Sequence, residues 1–80
     1  MQAHEIESII SERLEGSEVH AQSDGRHAQA VVICEQFAGL SPVKRQQMVY
    51  ACVNEYLLND TLHALSLKTY TPEQWKALNS

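Results

Sequence analysis

The sequence predicts an α+β fold, ordered α-β-β-α-β-α, in which helices pack on one face of a three-stranded mixed sheet. Three observations lead to this prediction. Apolar residues recur at helical spacing in residues 2–15 and again in residues 41–58. They alternate with polar residues on both sides of Asp24-Gly25. They alternate once more in residues 61–70, just before a sequence typical of a helix start.

The first helix is predicted over residues 2–15, because its apolar residues fall on one face and its glutamates on the other. Gly16 follows, and a glycine just past the last turn is a common helix end. The helix therefore has one face available for a core. The apolar positions of that face are Ile6, Ile9, Ile10 and Leu14.

A β-hairpin is predicted next, with strands at residues 18–23 and 26–34. Asp24-Gly25 lies between them and suits the two central positions of a type I′ turn, where both residues require positive φ. With Asp24 and Gly25 as the whole loop, Ser23 lies opposite Arg26, and the next two pairs follow from this register. Those pairs are Gln22 with His27 and Ala21 with Ala28.

The two hairpin strands have one apolar and one mainly polar face, since side chains alternate along a strand. The apolar face is predicted to contact the core, and it collects Val19, Ala21, Ala28, Ala30, Val32 and Cys34. His20 and His27 belong to the other face, which turns apolar only at Val31 and Ile33. We therefore expect both histidines to point away from the core.

The middle helix is predicted to begin with Ser41 as N-cap and Pro42 as its first residue. It runs to about Leu58, where Asn59-Asp60 ends it. Its length and its broad apolar face predict that it is the main helix covering the sheet. That face comprises Met48, Val49, Tyr50, Cys52, Val53, Tyr56 and Leu57.

The C-terminal segment predicts a third strand and a short last helix. Residues 61–70 alternate and are rich in strand-forming types. Residues 71–74, Thr-Pro-Glu-Gln, fit a capping box with proline as the first helical residue, and Tyr70 and Trp75 occupy the positions of a hydrophobic staple. The last helix is predicted to end near Leu78. Leu65 and Leu67 are the strand residues expected to face the core.

Composition limits the possible function classes. The 80 residues suffice for one small domain, 1–80, and the net charge of -4 disfavours non-specific binding to nucleic acid or to an anionic membrane. Cys34 and Cys52 each lie in an apolar run, so we interpret both as core residues. No apolar run approaches a membrane span, and the N-terminal segment resembles no targeting peptide. We expect a cytoplasmic protein.

His27 and His63 are the candidate metal ligands. Each lies near the start of a predicted strand, and a long helical connection joins the two strands. If the strands are neighbours they run parallel, which brings both histidines to the same edge of the sheet. Two imidazoles do not complete a metal site, so other ligands would have to come from a second protein. The alternative is two unrelated histidines near strand ends. Because side chains alternate between the two faces of a sheet, His63 also has the parity of Leu65 and Leu67, which are expected to face the core. An antiparallel arrangement would separate the two histidines.

Lys44 and Arg45 form the candidate partner-binding or nucleic-acid-binding pair. They lie in the first turn of the middle helix, where cations oppose the helix dipole. Either they are solvated or paired with a glutamate, or they contact an acidic partner, a carboxylate, a phosphate or a nucleic acid. No motif typical of a catalytic site occurs, and we predict that the protein is not an enzyme.

Three segments of the chain resemble the BolA-like protein family, in particular a bacterial subgroup of it. These are "DGRHAQAVVI" at the hairpin, "FAGLSPVKRQQMVY" across the loop and middle helix, and "LHALSLKTYTPEQW" at the end. The match covers nearly the whole chain. The resemblance implies a fold similar to the class II KH domain. It also implies a heterodimer with a monothiol glutaredoxin, bridged by a 2Fe-2S cluster.

By the same resemblance, His63 matches a cluster ligand in the C-terminal signature, and His27 matches a second ligand from the hairpin. The glutaredoxin cysteine and a glutathione thiolate would then hold the other iron. Some members of the family are DNA-binding transcriptional regulators, which is the alternative function. The segment "VKRQQMVY" is less basic than the family's usual one, and no GxxG loop is present, which ranks DNA second. Homodimerisation through an exposed sheet edge is a further expectation.

Overall fold

The computed structural model describes all residues, 1–80. Its element order is the predicted α-β-β-α-β-α, with one short 3₁₀ turn inserted after the second strand. The elements are α1 (Ala3–Arg13), β1 (Glu18–Ser23), β2 (His27–Ile33), the 3₁₀ turn (Glu35–Phe37), α2 (Pro42–Leu58), β3 (Ala64–Tyr70) and α3 (Pro72–Leu78). No helix among them is both long enough and apolar enough to cross a membrane.

The sheet is mixed, in the order β1-β2-β3. β1 and β2 are antiparallel, whereas β2 and β3 are parallel and are joined by the α2 crossover. The predicted parallel arrangement is therefore confirmed. Because β2 and β3 are parallel, their first residues, His27 and Ala64, lie at the same edge of the sheet.

The predicted hairpin turn is wrong by one residue on each strand. The observed register pairs Gln22 with Gln29 rather than with His27. Gly25 and Arg26 are now the central pair of the turn, and Gly25 has a φ of 98°. Positive φ at the first central position alone is the requirement of a type II′ turn. The register changes by two residues in total, which leaves every side chain on its predicted face.

One face of the sheet, which we call the core face, packs against α1 and α2. Each helix buries the apolar stripe that the periodicity predicted, and no charged or polar side chain is buried. Both cysteines are part of this core, as predicted, and burial raises the pKa of the Cys52 thiol. The core comprises Ile6, Ile10, Leu14, Ala28, Ala30, Val32, Cys34, Phe37, Val49, Cys52, Val53, Leu62 and Leu65.

The last helix differs in position from α1 and α2. Its capping box is confirmed, because the Thr71 hydroxyl accepts from the Gln74 N–H at 3.2 Å and the Gln74 side chain accepts from the Thr71 N–H at 2.9 Å. The staple contact of Tyr70 with Trp75 is also present. However, the Trp75 ring stacks on His20, which belongs to the opposite face. Helices α1 and α2 thus cover the core face, as predicted. Helix α3 lies against the other face, which we call the outer face, so the prediction that the helices share one face holds for α1 and α2 but not for α3.

Candidate metal-binding edge of the sheet

His27 is the first residue of β2, directly after the hairpin turn. Its side chain is on the outer face and exposed, as predicted, and its Cα pairs with that of Ala64. It lines a shallow depression of about 350 Å³ together with Gln22, Asp24 and Ser66. An imidazole in this place is accessible to solvent and to a second protein.

Asp24 fixes the backbone from which His27 projects. Its Oδ1 accepts hydrogen bonds from the N–H of His27 at 2.7 Å and from that of Arg26 at 2.9 Å. These hydrogen bonds, the one from His27 first, lower the pKa of the Asp24 carboxyl. From the sequence, Asp24 is predicted only as a turn residue. The signal that it missed is that an Asp side chain accepts from backbone N–H groups two and three residues ahead.

We predict that Asp24→Ala lowers the thermal unfolding midpoint at pH 7 and that this difference narrows in acid, where the neutral carboxyl accepts the two hydrogen bonds more weakly. The folded-state pKa is depressed, so the carboxylate stabilises the fold above its unfolded-state pKa. The part that depends on the charge is lost as the pH falls below the ordinary pKa of an Asp carboxyl and through the lower folded-state pKa. Asp24→Asn is the control, because its amide oxygen still accepts both hydrogen bonds. A gap between wild type and Asp24→Ala that stays constant down to pH 2 contradicts the assignment.

His63 lies in the α2–β3 loop, one residue before β3, and not inside the strand as the alternation predicted. The strand starts three residues later than expected because the loop has its own fixed structure. Leu62 is buried and its N–H donates to the Tyr56 carbonyl at 3.0 Å, while Asp60 adopts a φ of 64°. The His63 side chain is exposed.

The structure brings His27 and His63 to the same edge. His27 pairs with Ala64, so His63 is the direct neighbour of its partner residue. The two histidines differ in parity, because His27 shares the outer face with Ala64 whereas His63 has the parity of the core-facing Leu65. A ligand held by both imidazoles would therefore sit off the end of the sheet. No group of three or more His, Cys, Asp or Glu side chains is placed to hold a metal. This edge offers two exposed imidazoles, His27 and His63, and no third donor from this chain.

Lys44 and Arg45 lie far from the histidines. Helix α2 starts beyond the end of β2, so they are near the opposite end of the sheet, and 17 helical residues span roughly 25 Å. The Lys44 side chain is exposed. Arg45 instead donates to the Leu40 carbonyl at 3.1 Å and to Gln74 Oε1 at 2.8 Å, with its guanidinium 5.9 Å from the Phe37 ring centroid. Arg45 therefore joins α2, α3 and the 3₁₀ turn, a contact that the sequence did not reveal.

The fold defines a class of small α+β domains that have one mixed three-stranded sheet. These domains have no enclosed site, and here two exposed histidines lie at one edge of the sheet. The solved structure of a bolA protein homologue from Coxiella burnetii shares this fold with a TM-score of 0.88 and 39% identity, covering 95% of this chain and 97% of that one. The sequence model for the BolA-like protein family matches residues 3–74. The chain belongs to the BolA-like family.

Two relatives are informative. The acid stress protein IbaG of Escherichia coli K12 is 43% identical over 75 residues, which covers 94% of this chain and 89% of that protein. The DNA-binding transcriptional regulator BolA of Haemophilus influenzae is 38% identical over 65 residues, which covers 79% of this chain and 62% of that protein. The family resemblance that the sequence motifs suggested is thus confirmed.

Proposed function

We propose that this protein is a non-enzymatic adaptor of the cytoplasm that binds a monothiol glutaredoxin and shares a 2Fe-2S cluster with it. In this role it acts in the assembly or transfer of iron-sulfur clusters or in iron homeostasis. The observation that carries the proposal is the pairing of β2 with β3, which brings the backbones of His27 and His63 to the same edge, where both side chains are exposed.

The donor set supports a shared centre rather than a resident one. A neutral imidazole donates one lone pair to a metal, so this chain supplies two ligands. A 2Fe-2S cluster is held by four protein or thiol donors, and two histidines on one iron raise its reduction potential. The other two ligands must come from outside this chain, because both of its cysteines are buried in the core. A glutaredoxin cysteine and glutathione are donors of the required thiolate type.

The exposure of the edge supports a protein partner. Both histidines lie next to short loops, and Leu58, the last residue of α2, is 78% exposed at the same end of the molecule. An exposed leucine gives an interface an apolar contact, whereas the surrounding residues are polar. The partner would approach along the strand direction, off the end of the sheet, beside Met1, whose backbone hydrogen-bonds Gly25 and Ser23 of the hairpin.

The test is anaerobic reconstitution of the protein with a monothiol glutaredoxin, glutathione, iron and sulfide. We expect a stable one-to-one heterodimer by size-exclusion chromatography with light scattering, and visible absorption and circular dichroism spectra that differ from those of the glutaredoxin cluster alone. Identical spectra with and without this protein would refute the proposed cluster sharing. The same chromatography of this protein alone decides between monomer and the homodimer expected from a free sheet edge.

DNA binding is the second candidate function, favoured by the similarity to the Haemophilus influenzae regulator. The charges of the protein argue against DNA binding. The net charge is -4, and Arg45 already donates within the protein, which leaves Lys44 as the free cation at the start of α2. If DNA is bound there, affinity for a duplex falls steeply with salt and with Lys44→Ala. Absence of binding at low salt excludes this function. Arg45→Ala is a poor probe, because it also breaks contacts between α2 and α3.

A further inference from the structure

Helix α3 is attached to the outer face of the sheet mainly through one aromatic ring. None of its residues is buried. The Trp75 ring lies 6.0 Å from the His20 ring at an interplanar angle of 21°, and 5.5 Å from the Tyr70 ring at 46°. Both separations are in the range of favourable aromatic contacts. Trp75 therefore reaches from β3, which carries Tyr70, across to His20 on β1.

Trp75 covers the apolar end of the outer face. His20 pairs with Val31 and Tyr70 pairs with Ile33, both on the central strand β2. A ring that contacts β1 and β3 in these two rows passes over β2 between them. Ile33 is 5% exposed although it is on the outer face, whereas Gln29, one row beyond Val31, is exposed. Detachment of α3 would uncover this apolar strip.

His20 carries a second contact that depends on its charge. Its Nε2 lies 2.6 Å from Glu18 Oε2 on the same strand, and its side chain is 55% exposed. On this face β2 contributes no charged group near it, since Val31 and its neighbours in register are uncharged. The other charged or titratable groups on the elements around it are Lys68 and Tyr70 on β3, Glu7 on α1, whose carboxylate accepts from the Ala21 N–H, and Glu73 and Lys76 on α3. Of these, Lys68 and Glu7 line the same depression as His20.

We propose that His20 is a proton-dependent latch for α3. Histidine is the side chain whose charge changes between pH 5 and 8. A proton on His20 turns the stack on Trp75 into a cation–π contact and turns the hydrogen bond to Glu18 into an ion pair. The first holds α3 directly, and the second holds the imidazole in place under the Trp75 ring. Helix α3 is therefore held more firmly against the outer face of the sheet in mild acid, and it detaches from that face more often as the pH rises.

The test is native-state hydrogen exchange of the α3 amides in the protein alone, expressed as protection factors at pH 5.5 and pH 8. In the wild type we expect protection to be about two- to fivefold higher at the lower pH. His20→Gln should show the low protection at both pH values. His20→Arg, which keeps a positive charge, should show the high protection at both. Fluorescence of Trp75, the single tryptophan, should change over the same pH range in the wild type but not in His20→Gln or His20→Arg.

His4→Gln is the matched control, because His4 is exposed on α1, away from the stack, and this variant should keep the wild-type profile. Far-UV circular dichroism checks that all variants fold. Equal pH profiles for wild type and His20→Gln would overturn the latch, as would low protection in His20→Arg. The measurement uses no glutaredoxin or iron, so its outcome is independent of the proposed cluster sharing.

Discussion

Phe37→Ala is expected to lower the free energy of unfolding by about 3–5 kcal/mol. Phe37 is fully buried at the end of the 3₁₀ turn, where it fills the core between the end of β2 and the start of α2. Truncation leaves a cavity and removes the ring under the Arg45 guanidinium. The free energy of unfolding of an 80-residue domain is roughly 4–12 kcal/mol in total, so this variant would lose much of its stability. Urea denaturation followed by circular dichroism measures the loss.

Two control variants separate this effect from a general sensitivity to substitution. Phe37→Leu retains most of the apolar volume and should cost less than about 1.5 kcal/mol. Leu58→Ala removes a large apolar side chain that is 78% exposed and should change stability by no more than about 0.5 kcal/mol. A loss below about 1 kcal/mol in Phe37→Ala would show that the core does not depend on the 3₁₀ turn.

The secondary structure was largely predictable, because each element carries its own local signals. The Thr71–Gln74 capping box, the Ser41 N-cap and the staple of Tyr70 with Trp75 all appear where their spacing placed them. The hairpin turn was placed wrongly because the Asp24 side chain, rather than an Asp24 backbone at positive φ, closes it. The faces were still correct, since the register error of two preserves the alternation.

Tertiary placement was predictable only where the topology constrains it. A long helical crossover between neighbouring strands implies that β2 and β3 are parallel, and so predicts that His27 and His63 share an edge. The local sequence of α3 does not predict which face of the sheet Trp75 packs against, because its partner His20 is more than fifty residues away in sequence. The contacts of Arg45 with Leu40 and Gln74 are tertiary for the same reason.

His63→Ala and His27→Ala are each expected to reduce the yield of the bridged heterodimer cluster by at least about tenfold. Loss of a supporting residue around a metal typically costs 10- to 100-fold in affinity, and loss of a ligand should cost no less. One iron would keep a single imidazole from this chain. The visible circular dichroism of the reconstituted mixture should revert to that of the glutaredoxin alone, and the Ala variants should still fold because both side chains are exposed.

Position, and not histidine content, should decide the result. His4→Ala removes an exposed histidine from α1 and should leave the heterodimer spectrum unchanged. His27→Cys tests the ligand role directly, since a thiolate is also a good iron ligand and should keep a bridged cluster with an altered spectrum. If both Ala variants retain the wild-type spectrum, the position of His27 and His63 at one edge of the sheet does not serve metal binding. The edge would then act as a contact surface for a protein partner alone.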